Sequence, residues 1–374
     1  MLTFAMKLTP LHGVHLSLGA KMFTTASGYE MPAYYSSVEA EHRAVRERVG
    51  MIDLSLMGRI DIKGTQALDL VQELAVNDAS KLTDGQIMYT TFCNESGNIV
   101  DDVTVWRFSS EHFRVITSSL MRQRSLKWIR QHRKEDMVVY ETDISSSLGC
   151  IAVQGPLSRD ALQKICDVDL KQLGFFRFIP AKIAGLSAII ARVGFTGELG
   201  YECYFGAEET VQAWNSIQGA GKEYGILPYG LDVLDTLRYE KGFIFFGYEV
   251  TEKNNPFECG LDRWIRFEKP NFLGRKALLA IKKNGPQQKL IGLEVAGDQI
   301  LQPSLEVMHN GRKVGATLLG FRGLTVRKNI AWAFVSANNA QFGSKVTISA
   351  ETKETDARII DVRVYDPSGE RMRM

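Results

Sequence analysis

A turn running into a strand, Asn94-Glu95-Ser96-Gly97-Asn98-Ile99-Val100-Asp101-Asp102, sets two carboxylates side by side. Adjacent strand residues point to opposite faces, so only one of the two can enter a given pocket. Either both are solvated at a strand start, or one lies in a cleft where burial and hydrogen bonding set its charge state. The second arrangement would supply an acid, a base or a fixed charge. Other signatures of site chemistry are missing: there is no GxSxG elbow, no HExxH and no P-loop. Gly194-Phe195-Thr196-Gly197-Glu198-Leu199-Gly200 lacks GxGxxG spacing, and a strand rather than a helix follows it, so it reads as a strand-joining turn. His12 and His15 have no acidic or cysteine companion close by in sequence. Cys93, Cys150, Cys166, Cys203 and Cys259 are scattered without a CxxC pair. Neither a metal centre nor a disulfide framework is expected, and a reducing compartment fits.

The elements that must position these residues mix strands and helices without regular βαβ alternation, an α+β pattern. Arg59-Ile60-Asp61-Ile62-Lys63 and Asp102-Val103-Thr104-Val105-Trp106 alternate as half-buried strands do. Residues 113–117, 151–153, 188–193 and 201–205 are further strand candidates. Ser36-Ser37-Val38-Glu39 offers a capping box to a helix that Gly50 would stop. Helices are also expected over 65–74, 125–132, 158–166, 208–224 and 274–283. Asn284-Gly285-Pro286-Gln287-Gln288 breaks the last of these. From Leu290 onward short strands and turn signals, including an Asn310-Gly311 hairpin, predict a small β-barrel.

The 374 residues are 45% hydrophobic and 24% charged, ordinary globular composition for two or three structural units. Forty-five basic against 43 acidic side chains leave a net charge of +2. With no basic stripe or acidic tail, no nucleic acid partner is expected. Met1-Leu2-Thr3-Phe4-Ala5-Met6-Lys7 lacks a basic segment followed by a long apolar one. No run approaches membrane-spanning length, so the expectation is a cytoplasmic protein with no membrane partner.

Collinear segments then resemble one known family. Thr9-Pro10-Leu11-His12, Leu18-Gly19-Ala20-Lys21-Met22, Glu41-His42-Arg43-Ala44-Val45-Arg46 and Met57-Gly58 resemble the aminomethyltransferase (glycine cleavage T protein) pattern. So do Asn77-Asp78, Tyr89-Thr90, Asp101-Asp102, Val153-Gln154-Gly155-Pro156 and Gly194-Phe195-Thr196-Gly197-Glu198. Asp235-Thr236-Leu237-Arg238-Tyr239-Glu240-Lys241-Gly242, Gly247-Tyr248-Glu249, Pro256-Phe257-Glu258-Cys259-Gly260-Leu261 and Arg327-Lys328-Asn329-Ile330-Ala331 continue it. The resemblance implies a three-domain cloverleaf around a central folate hole. Residues 1–284 would form the folate-binding region, as two interleaved α+β subdomains, about 1–55 with 145–250 and about 56–144; residues 285–374 would form the barrel. It implies tetrahydrofolate as the one-carbon acceptor, Asp102 beside the reacting folate nitrogen and Glu202 on the pterin ring. A carboxylate suits the pterin edge, which presents an amino group and a ring N–H side by side. Tyr89, Phe195 and Thr117 match further positions around the cofactor.

Several positions depart from that pattern. Ser-His-Met-Gly reads Ser55-Leu56-Met57-Gly58, and the Asp-Phe before Gly-Trp is replaced by the Thr24-Thr25-Ala26-Ser27 stretch, with Tyr29 for the Trp. The tyrosine of GYTGE is Phe195, an asparagine is Thr117 and the arginine of the ARD motif is Leu234. Read together, with Tyr29, Leu56 and Leu234 as the substrate pocket, these changes suggest a more apolar donor. The ending Tyr365-Asp366-Pro367-Ser368-Gly369-Glu370-Arg371-Met372-Arg373 also resembles relatives that catabolise methylated compounds. The expected activity is therefore a tetrahydrofolate-dependent demethylase with a small-molecule methyl donor such as an aryl methyl ether. The alternative is a true aminomethyltransferase acting on a lipoyl carrier protein. A non-catalytic folate-binding protein is a third reading, against which Phe246-Gly247-Tyr248-Glu249 lacks the cysteine of a Lys-Gly-Cys-Tyr-like signature.

Overall fold

In the computed structural model, residues 6–350 and 353–374 are described; the first five residues of the N-terminal segment read above lie outside them. The chain builds two large antiparallel-rich sheets, a small two-stranded sheet of Lys21–Thr24 and Glu30–Tyr34, and a closed barrel. The first sheet runs Phe178–Ile183, Leu186–Ala191, Gly200–Gly206, Leu148–Gln154, Gly50–Asp53 and Leu227–Pro228, with only the last pair parallel. The chain leaves it after Asp53 and builds a second, fully antiparallel sheet before returning at Leu148. That sheet runs Gln86–Cys93, Ile99–Ser109, His112–Thr117, Gly58–Lys63 and Tyr140–Asp143.

Alternation explains the two faces of the second sheet. Ile60, Ile62, Val103, Val105, Phe113 and Val115 enter one apolar core with Leu70, Val71 and Leu74 of the helix Ala67–Leu74. Burying each such side chain is worth about 1.5–3 kcal/mol. The opposite face of the strand Ile99–Ser109 is thereby left to Asp102, Thr104 and Trp106. The Trp106 ring meets Tyr204 of the first sheet edge-on at 5.2 Å between centroids. The two sheets thus face one another across a seam carrying Asp102 on one side and Glu202, two residues from Tyr204, on the other.

The barrel closes through Gln288–Val295, Asn329–Ser336, Arg312–Arg322, Glu306–His309, Lys345–Ala350 and Lys353–Ile360. Its Asn310-Gly311 turn has φ of 51° and 72°, the doubly left-handed geometry that favours Asn-Gly in a two-residue hairpin. No helix among the described residues is long and apolar enough to cross a membrane.

The helix Val38–Glu47 begins one residue later than a Ser36 cap would place it. Ser37 is the N-cap, its hydroxyl accepting from the Ala40 N–H at 3.2 Å. The returning carboxylate is Glu41 rather than Glu39, accepting from the Tyr35 and Ser36 N–H groups at 2.7 and 2.6 Å. This helix packs against Leu231–Lys241 and carries Arg46, 5% exposed, between the parts of the molecule. The Arg46 guanidinium donates to Thr196 O (2.7 Å), Glu198 (3.0 Å), Leu237 O (3.1 Å) and Glu240 (3.1 Å). Glu198 also accepts from Tyr365 and Arg371 of the C-terminal segment, each at 2.6 Å. Glu240 accepts from the Thr325 N–H at 2.7 Å. Removing one member of such a network strands buried charges of the other sign. Arg46→Ala should therefore lower unfolding free energy by about 3–5 kcal/mol, read from the denaturant midpoint; an unchanged midpoint would show that the network is not holding the parts together.

Candidate functional site

Asp101 and Asp102 occupy consecutive positions of the strand Ile99–Ser109 and meet different surroundings. Asp101 is fully buried and accepts from the hydroxyls of Thr117, at 2.5 Å, and Ser125. Asp102, half-buried on the seam face, accepts from the Tyr89 hydroxyl at 2.9 Å, and its own N–H donates to Asp101 at 2.9 Å.

Burial pushes the Asp102 carboxyl up to about 6, the Tyr89 and Phe246 donors pull it down, and the nearby Glu249 charge pushes it up again. Burial and then the Asp102 charge raise Asp101. The charge of one carboxyl thus opposes ionisation of the other. Burial keeps the Tyr89 phenol protonated, so it remains a donor. The result is a carboxyl poised to change charge near neutral pH beside a fixed hydroxyl donor.

Glu202, 8% exposed, lies on the strand Gly200–Gly206 and accepts from the Tyr204 hydroxyl through Oε2 at 2.5 Å. Burial raises its carboxyl, while Tyr204 and the Arg59 charge lower it. Arg59 is itself fully buried and donates to the carbonyls of Leu54 (2.9 Å), Ser55 (3.1 Å) and Met57 (2.9 Å). One guanidinium thus shapes the Ser55–Gly58 turn and supplies positive charge near Glu202.

The other expected positions divide. Phe195 is half-buried, stacked on Phe243 at 5.5 Å between centroids. Tyr29 and Leu234 are half-buried against the same apolar cluster as Leu56, Ile116, Trp106 and Tyr204. Leu56 is 7% exposed within that cluster, and Thr117, 1% exposed, directs its hydroxyl to Asp101. Sequence reasoning missed Ser125 and Arg59. Ser125 meets Asp101 from 24 residues away; Arg59 bonds carbonyls two to five residues from it, and an arginine at the start of an otherwise apolar-alternating run was a usable signal. No group of three or more His, Cys, Asp or Glu residues among those described could hold a metal ion.

Residues 11–269 match the GCVT N-terminal domain and residues 288–366 the glycine cleavage T-protein C-terminal barrel domain. The chain is 37% identical over 361 residues to an aminomethyltransferase of Caldanaerobacter subterraneus, covering 96% of each protein. It is 33% identical to the Halothermothrix orenii aminomethyltransferase, over 95% of this chain and 99% of that one. In structure it superposes on the glycine cleavage system aminomethyltransferase T of Bartonella henselae with a TM-score of 0.89 at 23% identity, covering 97% and 99% of the two chains. The two domain matches and these relatives place the chain among tetrahydrofolate-dependent one-carbon transferases. The chain belongs to the glycine cleavage T-protein family.

These relatives overturn the demethylase expected from the sequence, and with it the small-molecule methyl donor. At 33–37% identity over nearly the full length they are named aminomethyltransferases. The physical reason is visible in the substituted positions. Tyr29, Leu56 and Leu234, read as the substrate pocket, share one apolar cluster, and Thr117, read as a cofactor position, is bonded to Asp101, so these substitutions do not by themselves specify a methyl donor.

The raised Asp102 carboxyl fixes the sign of its effect on stability. A carboxyl whose folded pKa lies above its unfolded value favours the folded state below the unfolded value and loses that contribution as pH rises through the folded one. Asp102→Asn should therefore stabilise the protein at pH 8 by up to about 3 kcal/mol, with the advantage disappearing near pH 4. Denaturant midpoints of both proteins at the two pH values check this; an Asn variant less stable at pH 8 would contradict a costly buried charge.

Proposed function

We propose that this chain is an aminomethyltransferase, which takes the aminomethyl group carried on the lipoyl arm of a carrier protein and passes its carbon to tetrahydrofolate. The observation that carries the reading is the likeness to proteins named aminomethyltransferase, 37% identical over 96% of both chains. In the balanced reaction the carbon leaves sulfur and nitrogen for two folate nitrogens. The two protons those nitrogens give up leave with ammonia and with the dihydrolipoyl thiol. The carbon keeps its oxidation level, so no redox partner is needed. Five unpaired cysteines suit a reducing, cytoplasmic setting for this chemistry.

The residues fit the acceptor. Glu202 gives one oxygen to Tyr204, and the other accepts no hydrogen bond from the described residues, which suits an incoming pterin N–H donor. Phe195, with its face on Phe243, offers an apolar wall. Asp102, oriented by Tyr89, would stand beside the folate nitrogen, accept its proton and offset the positive charge that develops as the nitrogen attacks. Thr117 would act from behind, through Asp101. Tyr29, Leu56 and Leu234 would border the arm that brings the donor. In this reading residues 1–284 hold the folate and residues 285–374 form the barrel domain that covers it.

Incubation with aminomethylated lipoyl carrier and tetrahydrofolate should release ammonia in step with carrier consumption. No folate-dependent ammonia release would sink the proposal. Asp102→Ala should lower kcat by about 100-fold or more while the variant retains its circular-dichroism spectrum. Glu202→Gln should instead raise the folate dissociation constant by about 10-fold, measured by calorimetry; an unchanged constant would remove Glu202 from the folate site.

A further inference from the structure

The strand Gln86–Cys93 is an edge of the second sheet, so within that sheet only one side of its backbone is paired, with Ile99–Ser109. The other side needs a segment to cover its N–H and C=O groups. Residues 75–77, leaving the helix Ala67–Leu74, do this. Ala75 bridges Phe92 antiparallel, and the Val76 N–H donates to the Thr91 carbonyl at 3.2 Å. Buried Asn77 completes the row: its N–H donates to the Thr90 hydroxyl at 3.1 Å and its Nδ2 to the Tyr89 carbonyl at 2.9 Å. Its Oδ1 accepts from the Asp78 N–H at 2.9 Å. A second layer holds this segment in turn. The Arg266 N–H donates to the Val76 carbonyl at 2.9 Å. The buried Lys269 ammonium donates to the carbonyls of Gln72 (2.8 Å), Ala75 (2.7 Å) and Asn77 (2.8 Å). An ammonium has three donors, so this one is used in full, at a helix C-terminus where positive charge is favoured. A chain of hydrogen bonds therefore runs from Lys269 to Asn77, from Asn77 to the Tyr89 backbone, and from the Tyr89 hydroxyl to Asp102.

We propose that Asn77 is a positioning residue for the transfer: its amide fixes the outer edge of the strand Gln86–Cys93 at Tyr89, so that the phenol meets Asp102 in the orientation the reaction uses. The proposal rests on Asp102 being the acting carboxylate of the aminomethyl transfer. Tyr89 stands opposite Thr104, so its phenol reaches Asp102 diagonally across the strand pair. A small tilt of the edge strand changes that reach, and the ladder to Ile99–Ser109 restrains one side only. Asn77 pins the other side at the Tyr89 carbonyl itself, and Lys269 keeps Asn77 from following the strand. The Trp264 ring meets Tyr89 edge-on at 5.5 Å, so the segment that carries Lys269 also touches the phenol ring. Asn77 thus acts on Asp102 through the Tyr89 hydroxyl.

The experiment compares wild type, Asn77→Asp and Asn77→Ala, each alone and combined with Tyr89→Phe, by ammonia release from aminomethylated carrier across pH. Asn77→Asp keeps the side-chain shape and the acceptor for the Asp78 N–H, and loses only the donor to Tyr89. Asn77→Ala removes that donor without adding charge, so one of the pair reads the role even if the other fails to fold. Asp101, Cys259 and Glu249, the other titratable groups around Asp102, are present in every variant. Wild type should lose kcat/KM below about pH 6, as Asp102 is protonated. The Tyr89 donor pulls the Asp102 carboxyl down, so Tyr89→Phe should move this acid limb to higher pH by about one unit. Each Asn77 variant should move the limb in the same direction and lower kcat by about 10-fold, with its circular-dichroism spectrum retained. Combined with Tyr89→Phe, the Asn77 changes should add little, because the phenol they act through is gone. Fully additive losses, or Asn77 variants with the limb and kcat of wild type, overturn the proposal. If Asp102→Ala is inactive while the Asn77 variants match wild type, only the positioning role falls; if wild type itself releases no ammonia, the aminomethyltransferase reading falls first.

Discussion

Two adjacent carboxylates cannot be buried on one strand unless each finds donors on its own side, and the surroundings of Asp101 and Asp102 are built around that constraint. Thr117 and Ser125 serve the inner carboxyl, and Tyr89 serves the outer one. Burial raises both carboxyls, and the Asp102 charge raises Asp101 further. Burial alone would neutralise both, so the donors on each side decide how much charge the pair keeps near neutral pH. A carboxylate of adjustable charge is what a reaction centred on a protonated folate nitrogen requires.

Holding that strand opposite Glu202 takes the rest of the molecule. The second sheet is an excursion between Asp53 and Leu148 of the first, so the strands bearing Asp102 and Glu202 meet only through side-chain packing such as Trp106 on Tyr204. Arg46 ties the helix beside the first sheet to the turn at Thr196–Glu198, to Glu240 and, through Glu198, to the C-terminal segment beyond the barrel. Its side-chain bonds span 150 to 279 residues of sequence. A chain that folds the barrel and the segment after it back onto the helix Val38–Glu47 in this way couples the stability of the parts to one another.

Much of this was legible in the residues. The alternation in Arg59–Lys63 and Asp102–Trp106 placed two strands correctly, and Asn310-Gly311 marked a hairpin whose left-handed pair of residues only that kind of dipeptide accepts readily. Period two also required Asp101 and Asp102 to diverge. Contacts between remote segments were not legible. Nothing local to Thr117 points to Asp101, 16 residues away, and nothing local to Arg238 says that it reaches Glu249, 11 residues on, as well as its helix neighbour Asp235. The helix cap shifted by one residue because Glu41, not Glu39, reaches back to the free N–H groups. The substrate was misread for a related reason. A list of changed residues does not say what those side chains touch, and Tyr29, Leu56 and Leu234 share an apolar cluster with Trp106 and Tyr204.

The oxidation level of the transferred carbon separates the aminomethyl reaction from methyl transfer more directly than rate measurements do. Carrier protein loaded with a carbon-13 aminomethyl group, incubated with the enzyme and tetrahydrofolate, can be followed by carbon-13 NMR. The account predicts a methylene carbon bound to folate nitrogen, formed with one ammonia per carbon transferred. A label that stays on the carrier, together with a methyl carbon appearing on folate from an added methylated compound, would contradict it.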